Sequence, residues 1–281
     1  MKPLKGMVVV NLAVNLPGPA AARRLRHLGA SVVKVEPPSG DLMELYNADW
    51  YRDMAVGQTV VRIDLKSAEG LAHLNGLLAT ADLLITASRP AGLCRLGLGW
   101  EELHRKFPRL CQVAIVGYPA PRENEAGHDL TYQASLGLLN PPHMPRTLLA
   151  DMAGAEQTVS AAMALLLIRE RGQEAGYAEV ALSRAAEAMA EPLRYGSTAP
   201  GALLGGGIPE YNLYEARDGW VALAALEPHF KSRLEESLGV STREEYRAAF
   251  ADRSAREWQE WGREQDIPII VAEEKKPCIS N

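Results

Sequence analysis

Residues 7–116 alternate short apolar runs with helical segments, and this alternation limits the fold more than any other feature of the chain. The apolar runs lie at residues 7–12, 31–36, 60–65, 83–86 and 110–116. Repeated β-α-β units of this kind favour right-handed crossovers and predict a parallel sheet. Ligands of such sheets bind beyond the carboxyl ends of the strands.

The remainder of the chain predicts one further strand, several helices and a second domain. The longest helical pattern covers residues 152–171, and a shorter helix is predicted at 131–139. Asp218-Gly219 between two β-like runs predicts a hairpin. We therefore predict an α/β protein. A large Rossmann-like parallel-sheet domain covers residues 1–196, a glycine-rich linker covers 197–207, and a smaller α+β domain covers 208–281. The charged tail at residues 273–276 is expected to be solvated.

Composition excludes several classes of partner. Thirty Lys and Arg against 35 Asp and Glu give a net charge of −5, which excludes a broadly basic nucleic-acid binder. The longest apolar stretch, residues 161–168, is too short to span a bilayer, so we expect no membrane partner. Three separated cysteines without a CxxC pair indicate neither a disulfide framework nor a zinc site, so we expect no metal and a cytoplasmic location.

A dinucleotide cofactor is not expected either. The turn after the first strand reads Asn15-Leu16-Pro17-Gly18-Pro19 instead of the G-x-G-x-x-G that binds NAD.

Six short motifs follow one another in a fixed order. They are Val33-Lys34-Val35-Glu36-Pro37, Asp64-Leu65-Lys66-Ser67, Arg89-Pro90, Gly127-His128-Asp129-Leu130-Thr131-Tyr132, Ala150-Asp151-Met152-Ala153-Gly154 and Ala225-Leu226-Glu227-Pro228. Each is weak alone, but the ordered set resembles the family III CoA-transferases. That family includes carnitine and bile-acid CoA-transferases and the α-methylacyl-CoA racemases.

The resemblance implies an acyl-CoA substrate, with coenzyme A as the only cofactor-like group, and a homodimer whose chains interlock. It also gives Asp151 a chemical role. By itself, Asp151 reads as the N-cap of the long helix. In the family, this aspartate attacks a CoA thioester in the transferases or moves a proton in the racemases. Free N–H groups at a helix start suit both uses, because they stabilise a thioester oxygen that becomes anionic.

Three further residues match the family's site. His128 falls on the racemase position, and histidine is a residue type suited to general-base work near neutral pH. Asp129 resembles the carboxylate that supports the catalytic aspartate, although a turn-forming aspartate is an equal alternative. Glu227 resembles a carboxylate that orients the histidine, and its alternative is a helix N-terminal acid.

The sequence departs from the family where CoA phosphates are usually bound. Members carry a basic stretch before the Asp-Leu-Lys motif, but residues 54–59 read MAVGQT and hold no cation. We expect Lys34, Arg62, Lys66 and Arg89 to compensate.

Together these residues favour racemisation of a 2-methylacyl-CoA. A CoA transferase that acts through Asp151 is one alternative, and a non-catalytic paralogue with a binding role is another.

Overall fold

The computed structural model describes residues 1–273. The chain divides into two compact units, Met1–Ala190 and the part that starts at Glu191. Of the charged tail predicted to be solvated, only Glu273 lies within the described residues, and Cys278 lies outside them.

The first unit is built on a six-stranded sheet in which all neighbouring strands are parallel. The strands are β1 (Val8–Asn11), β2 (Ser31–Glu36), β3 (Thr59–Arg62), β4 (Leu83–Thr86), β5 (Cys111–Val116) and β6 (Tyr177–Ala181). Their order is β3-β2-β1-β4-β5-β6, which is the Rossmann order. The predicted α/β class and Rossmann-like sheet are therefore confirmed.

Nine helices of the first unit connect or cover these strands. They are α1 (Pro17–His27), α2 (Leu42–Tyr46), α3 (Ala48–Ala55), α4 (Ala68–Leu78), α5 (Pro90–Arg95), α6 (Trp100–Lys106), α7 (Asp129–Ser135), α8 (Leu149–Glu170) and α9 (Leu182–Met189). The short helices α2, α3 and α5 were not predicted.

Both faces of the sheet are buried, as a parallel sheet requires. Neighbouring residues of a strand point to opposite faces. Val9 belongs to the core that includes Leu166 of α8, whereas Val10 belongs to the core that includes Leu74 of α4. All four side chains are almost fully buried, and such burial contributes about 1.5–3 kcal/mol per side chain.

The second unit is a small α+β arrangement. Its elements are α10 (Glu191–Arg194), a 3₁₀ turn (Leu203–Gly205), β7 (Tyr211–Ala216), β8 (Gly219–Ala224), α11 (Pro228–Leu238), α12 (Arg243–Ala251), α13 (Ala255–Glu264) and β9 (Ile269–Val271). The strands β7-β8-β9 form an antiparallel sheet, and the predicted hairpin is its first pair. Tyr214, Phe250 and Trp258 fill the core between sheet and helices.

Within residues 1–273, no helix combines the length and the hydropathy needed to cross a membrane.

Candidate active site

A cavity of about 300 Å³ opens in the first unit beyond the carboxyl ends of β1, β4 and β5. Residues 12–15 after β1, residues 87–89 after β4 and residues 115–117 at the end of β5 contribute to its wall. Between β1 and β4 the strand order changes direction, and ligands of open α/β sheets bind at such a switch point. The cavity therefore lies at the edge of the sheet where the sequence predicts a site.

Asp151 lines this cavity from the first turn of α8. The helix begins at Leu149, two residues before Asp151, and Leu148 occupies the cap position without a side-chain cap. The alternative reading of Asp151 as an N-cap is therefore wrong. As the third residue of the helix, Asp151 has its side chain free for the cavity.

The carboxyl group of Asp151 titrates close to neutrality. Burial raises the pKa of Asp151 to about 6, the nearby charge of Asp129 adds to that rise, and His128 opposes it. Carboxyl groups with a pKa tuned towards neutral pH are typical of general acids and bases.

Asp129 is buried beside Asp151 and fixes its backbone. Its Oδ2 atom accepts the Asp151 N–H at 3.0 Å, and its Oδ1 atom accepts a hydrogen bond from Nε2 of Gln133. Gln133 also donates to the carbonyl of Thr147 at 3.2 Å. The N–H of Asp151 is thus already bonded, so this particular helix N–H is not one of the free groups that we expected to meet a thioester oxygen.

His128 lines the same cavity from the residue that precedes α7. It is exposed. Its backbone N–H donates to Oγ1 of Thr131 at 3.1 Å, and that hydroxyl donates to the His128 carbonyl at 2.8 Å. These bonds fix the backbone at His128. The structure therefore brings together His128, Asp129 and Asp151.

Glu227 lies in the second unit. It is the exposed residue before Pro228 at the start of α11. Its expected action on His128 stays a prediction.

The four candidate phosphate-binding cations occupy different environments. Arg89 is exposed and lines the cavity with Asp151. Arg62 borders a separate groove with Asp64 and Ser67 at the start of α4, and Lys66 is exposed within that loop. Only Arg89 therefore shares the wall of the acid–base cavity.

Lys34 has a different environment, because its side chain is only 2% exposed. Its ammonium lies 2.9 Å from Glu36 and 2.6 Å from Asp41, and both carboxylates are fully buried. The ring of Tyr51 lies 4.5 Å from the same ammonium. Since these contacts leave Lys34 no opening towards a phosphate, it takes no part in the phosphate contacts proposed below.

Three polar residues of the cavity had no role in the sequence analysis, namely Asn15, Glu123 and Tyr132. Tyr132 is 1% exposed, and burial raises its pKa to about 12, with smaller contributions from Tyr118, Asp151 and Asp129. Its phenol therefore stays neutral wherever Asp151 titrates. Two of the three lie in quoted motifs, the Asn-Leu-Pro-Gly-Pro turn and the Gly-His-Asp-Leu-Thr-Tyr motif, but Glu123 had no sequence signal.

Across residues 1–273, no group of three or more His, Cys, Asp or Glu residues is placed to hold a metal ion.

The model of "CoA-transferase family III" matches residues 4–275. The chain is 30% identical over 261 residues to the α-methylacyl-CoA racemase of Mus musculus, covering 86% of this chain and 66% of the racemase. It is also 30% identical over 273 residues to the succinate–glutarate CoA-transferase of Agrobacterium fabrum, covering 85% of this chain and 67% of that enzyme.

A solved structure with a similar fold is that of a hypothetical protein (Rv3272) from Mycobacterium tuberculosis. It has a TM-score of 0.85 and 25% identity, and the match covers 97% of this chain and 86% of that chain. The present chain thus spans about two thirds of the length of the curated relatives above. The family match covers nearly all of its residues, and the chain belongs to CoA-transferase family III.

Proposed function

We propose that this protein is an enzyme that moves a proton at the α-carbon of a 2-methylacyl-CoA thioester and thereby racemises it. One observation carries the proposal: Asp151, with its pKa raised to about 6, shares a cavity with His128. A reversible proton transfer needs two groups that each exchange a proton near the working pH.

The reaction proceeds in two balanced steps. The basic form of one residue removes the α-proton, and the C–H electron pair moves into the thioester to form an enolate. The other residue, in its acid form, then returns a proton to the opposite face of the α-carbon. His128 and Asp151 exchange roles for the two enantiomers, so no net proton is gained or lost.

Other residues are proposed to tune these two groups. Asp129 fixes the Asp151 backbone and adds to its raised pKa. Glu227 is proposed to hydrogen-bond the imidazole of His128 and fix its tautomer, which is the usual device for orienting a catalytic histidine.

CoA binding without the usual basic stretch is proposed to rely on other cations. Residues 54–59 run from the end of α3 into β3 and contain no cation. Arg89 at the cavity, and Arg62 and Lys66 at the separate groove, are the proposed phosphate contacts. We also propose a homodimer, as the family implies, which light scattering of the purified protein tests.

Deuterium exchange tests the reaction. The protein is incubated with (R)- or (S)-2-methylbutyryl-CoA in D₂O, and α-deuterium is followed by mass spectrometry and optical purity by chiral chromatography. We expect deuterium incorporation together with racemisation, and loss of both by at least about 100-fold in His128→Gln and Asp151→Asn. CoA binding without exchange of any 2-methylacyl-CoA contradicts the proposal.

CoA transfer through Asp151 is the second candidate, because relatives of similar identity are named CoA-transferases. Here the Asp151 carboxylate attacks the thioester carbonyl, CoA leaves as the thiolate, and the thiolate then attacks the aspartyl anhydride. That releases the acid and leaves an aspartyl-CoA thioester. Hydroxylamine traps this adduct, and kinetics are ping-pong, whereas racemisation gives neither result. Absence of CoA binding at millimolar concentration favours the non-catalytic paralogue over both reactions.

A further inference from the structure

The cavity wall contains polar atoms without partners. Within residues 1–273, three of its residues carry a buried side-chain oxygen with no hydrogen-bond partner: Asn15 Oδ1, Glu123 Oε2 and the Tyr132 hydroxyl. Buried polar atoms in native proteins are almost always paired. These three oxygens belong to residues of one cavity wall, where a bound molecule can supply the partners.

Two of these three atoms accept hydrogen bonds and cannot donate them. A carboxylate oxygen and an amide oxygen are acceptors only, whereas a phenol both donates and accepts. The missing partner is therefore a hydrogen-bond donor. A plain hydrocarbon chain leaves the acceptors unpaired, and a carboxylate places a second negative charge beside Glu123.

Glu123 differs from the other glutamate of its loop. Glu125 also lines the cavity, but its carboxylate is held by Arg122, with N–O distances of 2.7 and 2.9 Å. Glu123 has only a long contact of 3.4 Å, from Asn124 to its other oxygen. Glu123 is thus the acceptor that remains available, and Glu125 is a matched control.

Asn15 is held in position before any ligand arrives. Its backbone is left-handed, with φ of 66°, a conformation that asparagine tolerates better than most residues. Its N–H donates to Oδ1 of the buried Asp41 at 2.9 Å, and Asp41 is bound in turn by Lys34. The buried ion pair therefore fixes the turn that carries Asn15, which favours recognition by a preorganised group.

The cavity has room for an acyl group. About 300 Å³ corresponds to about ten water molecules at about 30 Å³ each, which is enough space for a small acyl group that carries a polar substituent.

We propose that the acyl group bound in this cavity carries a hydrogen-bond donor, a hydroxyl or an ammonium group, whose hydrogen bond Glu123 or Asn15 accepts and which Tyr132 contacts. This inference rests on the proposed function, because it describes the substrate of the same site. The amides of the pantetheine arm of CoA are the other source of N–H donors, so the test separates the two.

Calorimetry with three CoA compounds tests the proposal: CoA alone, butyryl-CoA and 3-hydroxybutyryl-CoA. We expect 3-hydroxybutyryl-CoA to bind about tenfold more tightly than butyryl-CoA, the range of one hydrogen bond to a charged group. Succinyl-CoA is expected to bind more weakly than both. In Glu123→Leu the hydroxyl preference should fall to about twofold or less, whereas Glu125→Gln should keep it.

Two outcomes overturn the proposal. Equal affinity for the hydroxylated and plain acyl-CoA in the unchanged protein shows that the protein does not recognise a donor on the acyl group. An equal loss for all three compounds in Glu123→Leu assigns the acceptor to pantetheine.

The deuterium experiment separates this inference from the proposed reaction. A hydroxyl preference without α-exchange leaves the inference standing and contradicts racemisation. Exchange without any preference does the reverse.

Discussion

The backbone N–H of Asp151 donates to Oδ2 of Asp129 at 3.0 Å, which joins the first turn of α8 to the first turn of α7. The bond holds two carboxyl groups close together, and the charge of Asp129 adds to burial in raising the pKa of Asp151 to about 6. Because like charges disfavour the ionised form, the charge on Asp129 affects how readily Asp151 gives up its proton.

Neutralising Asp129 should shift the pH dependence of α-exchange. Asp129→Asn keeps an acceptor for the Asp151 N–H but removes the charge, so the pKa of Asp151 falls. It stays above the usual 3.8, because burial is the larger cause of the shift. The acidic limb of kcat/KM for deuterium incorporation should therefore move to lower pH. Asp53→Asn, at an exposed ion pair with Arg23, is the control, and an unshifted limb in Asp129→Asn contradicts the coupling.

Asp151 should lower the stability of the protein at neutral pH. Its folded pKa of about 6 lies above the usual 3.8, so between these values the folded state holds a proton that the unfolded state has lost. The free energy of unfolding therefore has its full value below pH 3.8, and it falls as the pH rises to about 6. The shift corresponds to at most about 3 kcal/mol.

Asp151→Asn should remove the loss of stability that ionisation of Asp151 causes. We expect the variant to be more stable than the unchanged protein at pH 8 by about 1–3 kcal/mol, with no difference near pH 3.5. Urea unfolding at both pH values measures it. If the variant and the unchanged protein are equally stable at pH 8, the folded protein does not disfavour the ionised form of Asp151.

The first strands were predictable from the sequence because they are short apolar runs with a clear stop. Residues 31–36 were predicted as a strand with the bounds that β2 has, since Pro37 ends the run. The start of α8 was not predictable in the same way. Leu148 provides no capping side chain, and Asp151, which the sequence suggested as the N-cap, lies inside the helix.

The site was predictable in part. Some of its residues belong to sequence motifs, but the others are brought together only by the fold. His128, Asp129 and Asp151 carry a family pattern. By contrast, Lys34 lies in a strand predicted from its apolar residues. That pattern does not reveal that the Lys34 side chain is buried and paired with two carboxylates. Nor does any local signal show that Asn15 and Glu123 reach one cavity.

Removing the buried ammonium should be costly. Lys34→Met leaves the buried carboxylate of Asp41 without a cation and that of Glu36 with only Arg62, whose Nε lies 3.8 Å away. We expect a loss of about 3–5 kcal/mol in the free energy of unfolding, as is typical when one partner of a buried pair is removed. Arg23→Met breaks a partly exposed pair and should cost less than about 1 kcal/mol. Similar losses in the two variants contradict a structural role for Lys34.

Arg89 should contribute to CoA affinity. It lines the cavity, and a charge-assisted bond to phosphate is among the stronger hydrogen bonds. Arg89→Ala should weaken CoA binding by about tenfold and reduce its salt dependence. Lys106→Ala, whose ammonium is paired with Glu102 at 2.8 Å, is the control. Unchanged affinity in Arg89→Ala removes this arginine from the proposed phosphate contacts.

The Tyr132 hydroxyl should leave no room for a side chain at Gly117 and Gly127. A Cβ atom at either position would lie 2.5 Å from that hydroxyl oxygen. At Gly117 the next atom of the ring is 3.6 Å away, but at Gly127 two ring carbons lie at 2.6 and 2.8 Å. Gly117→Ala and Gly127→Ala should each lose about 1–3 kcal/mol through overpacking.

Tyr132→Phe then separates the two glycines. Removing the unpaired hydroxyl should change stability by less than about 1 kcal/mol by itself, since no hydrogen bond is lost. It should restore the stability of Gly117→Ala, because only the oxygen is in the way, but not that of Gly127→Ala, where the ring itself blocks the new methyl group. Urea unfolding of the three single variants and of the two double variants with Tyr132→Phe measures both coupling energies. Equal rescue at both positions would contradict the position of the Tyr132 ring against Gly127.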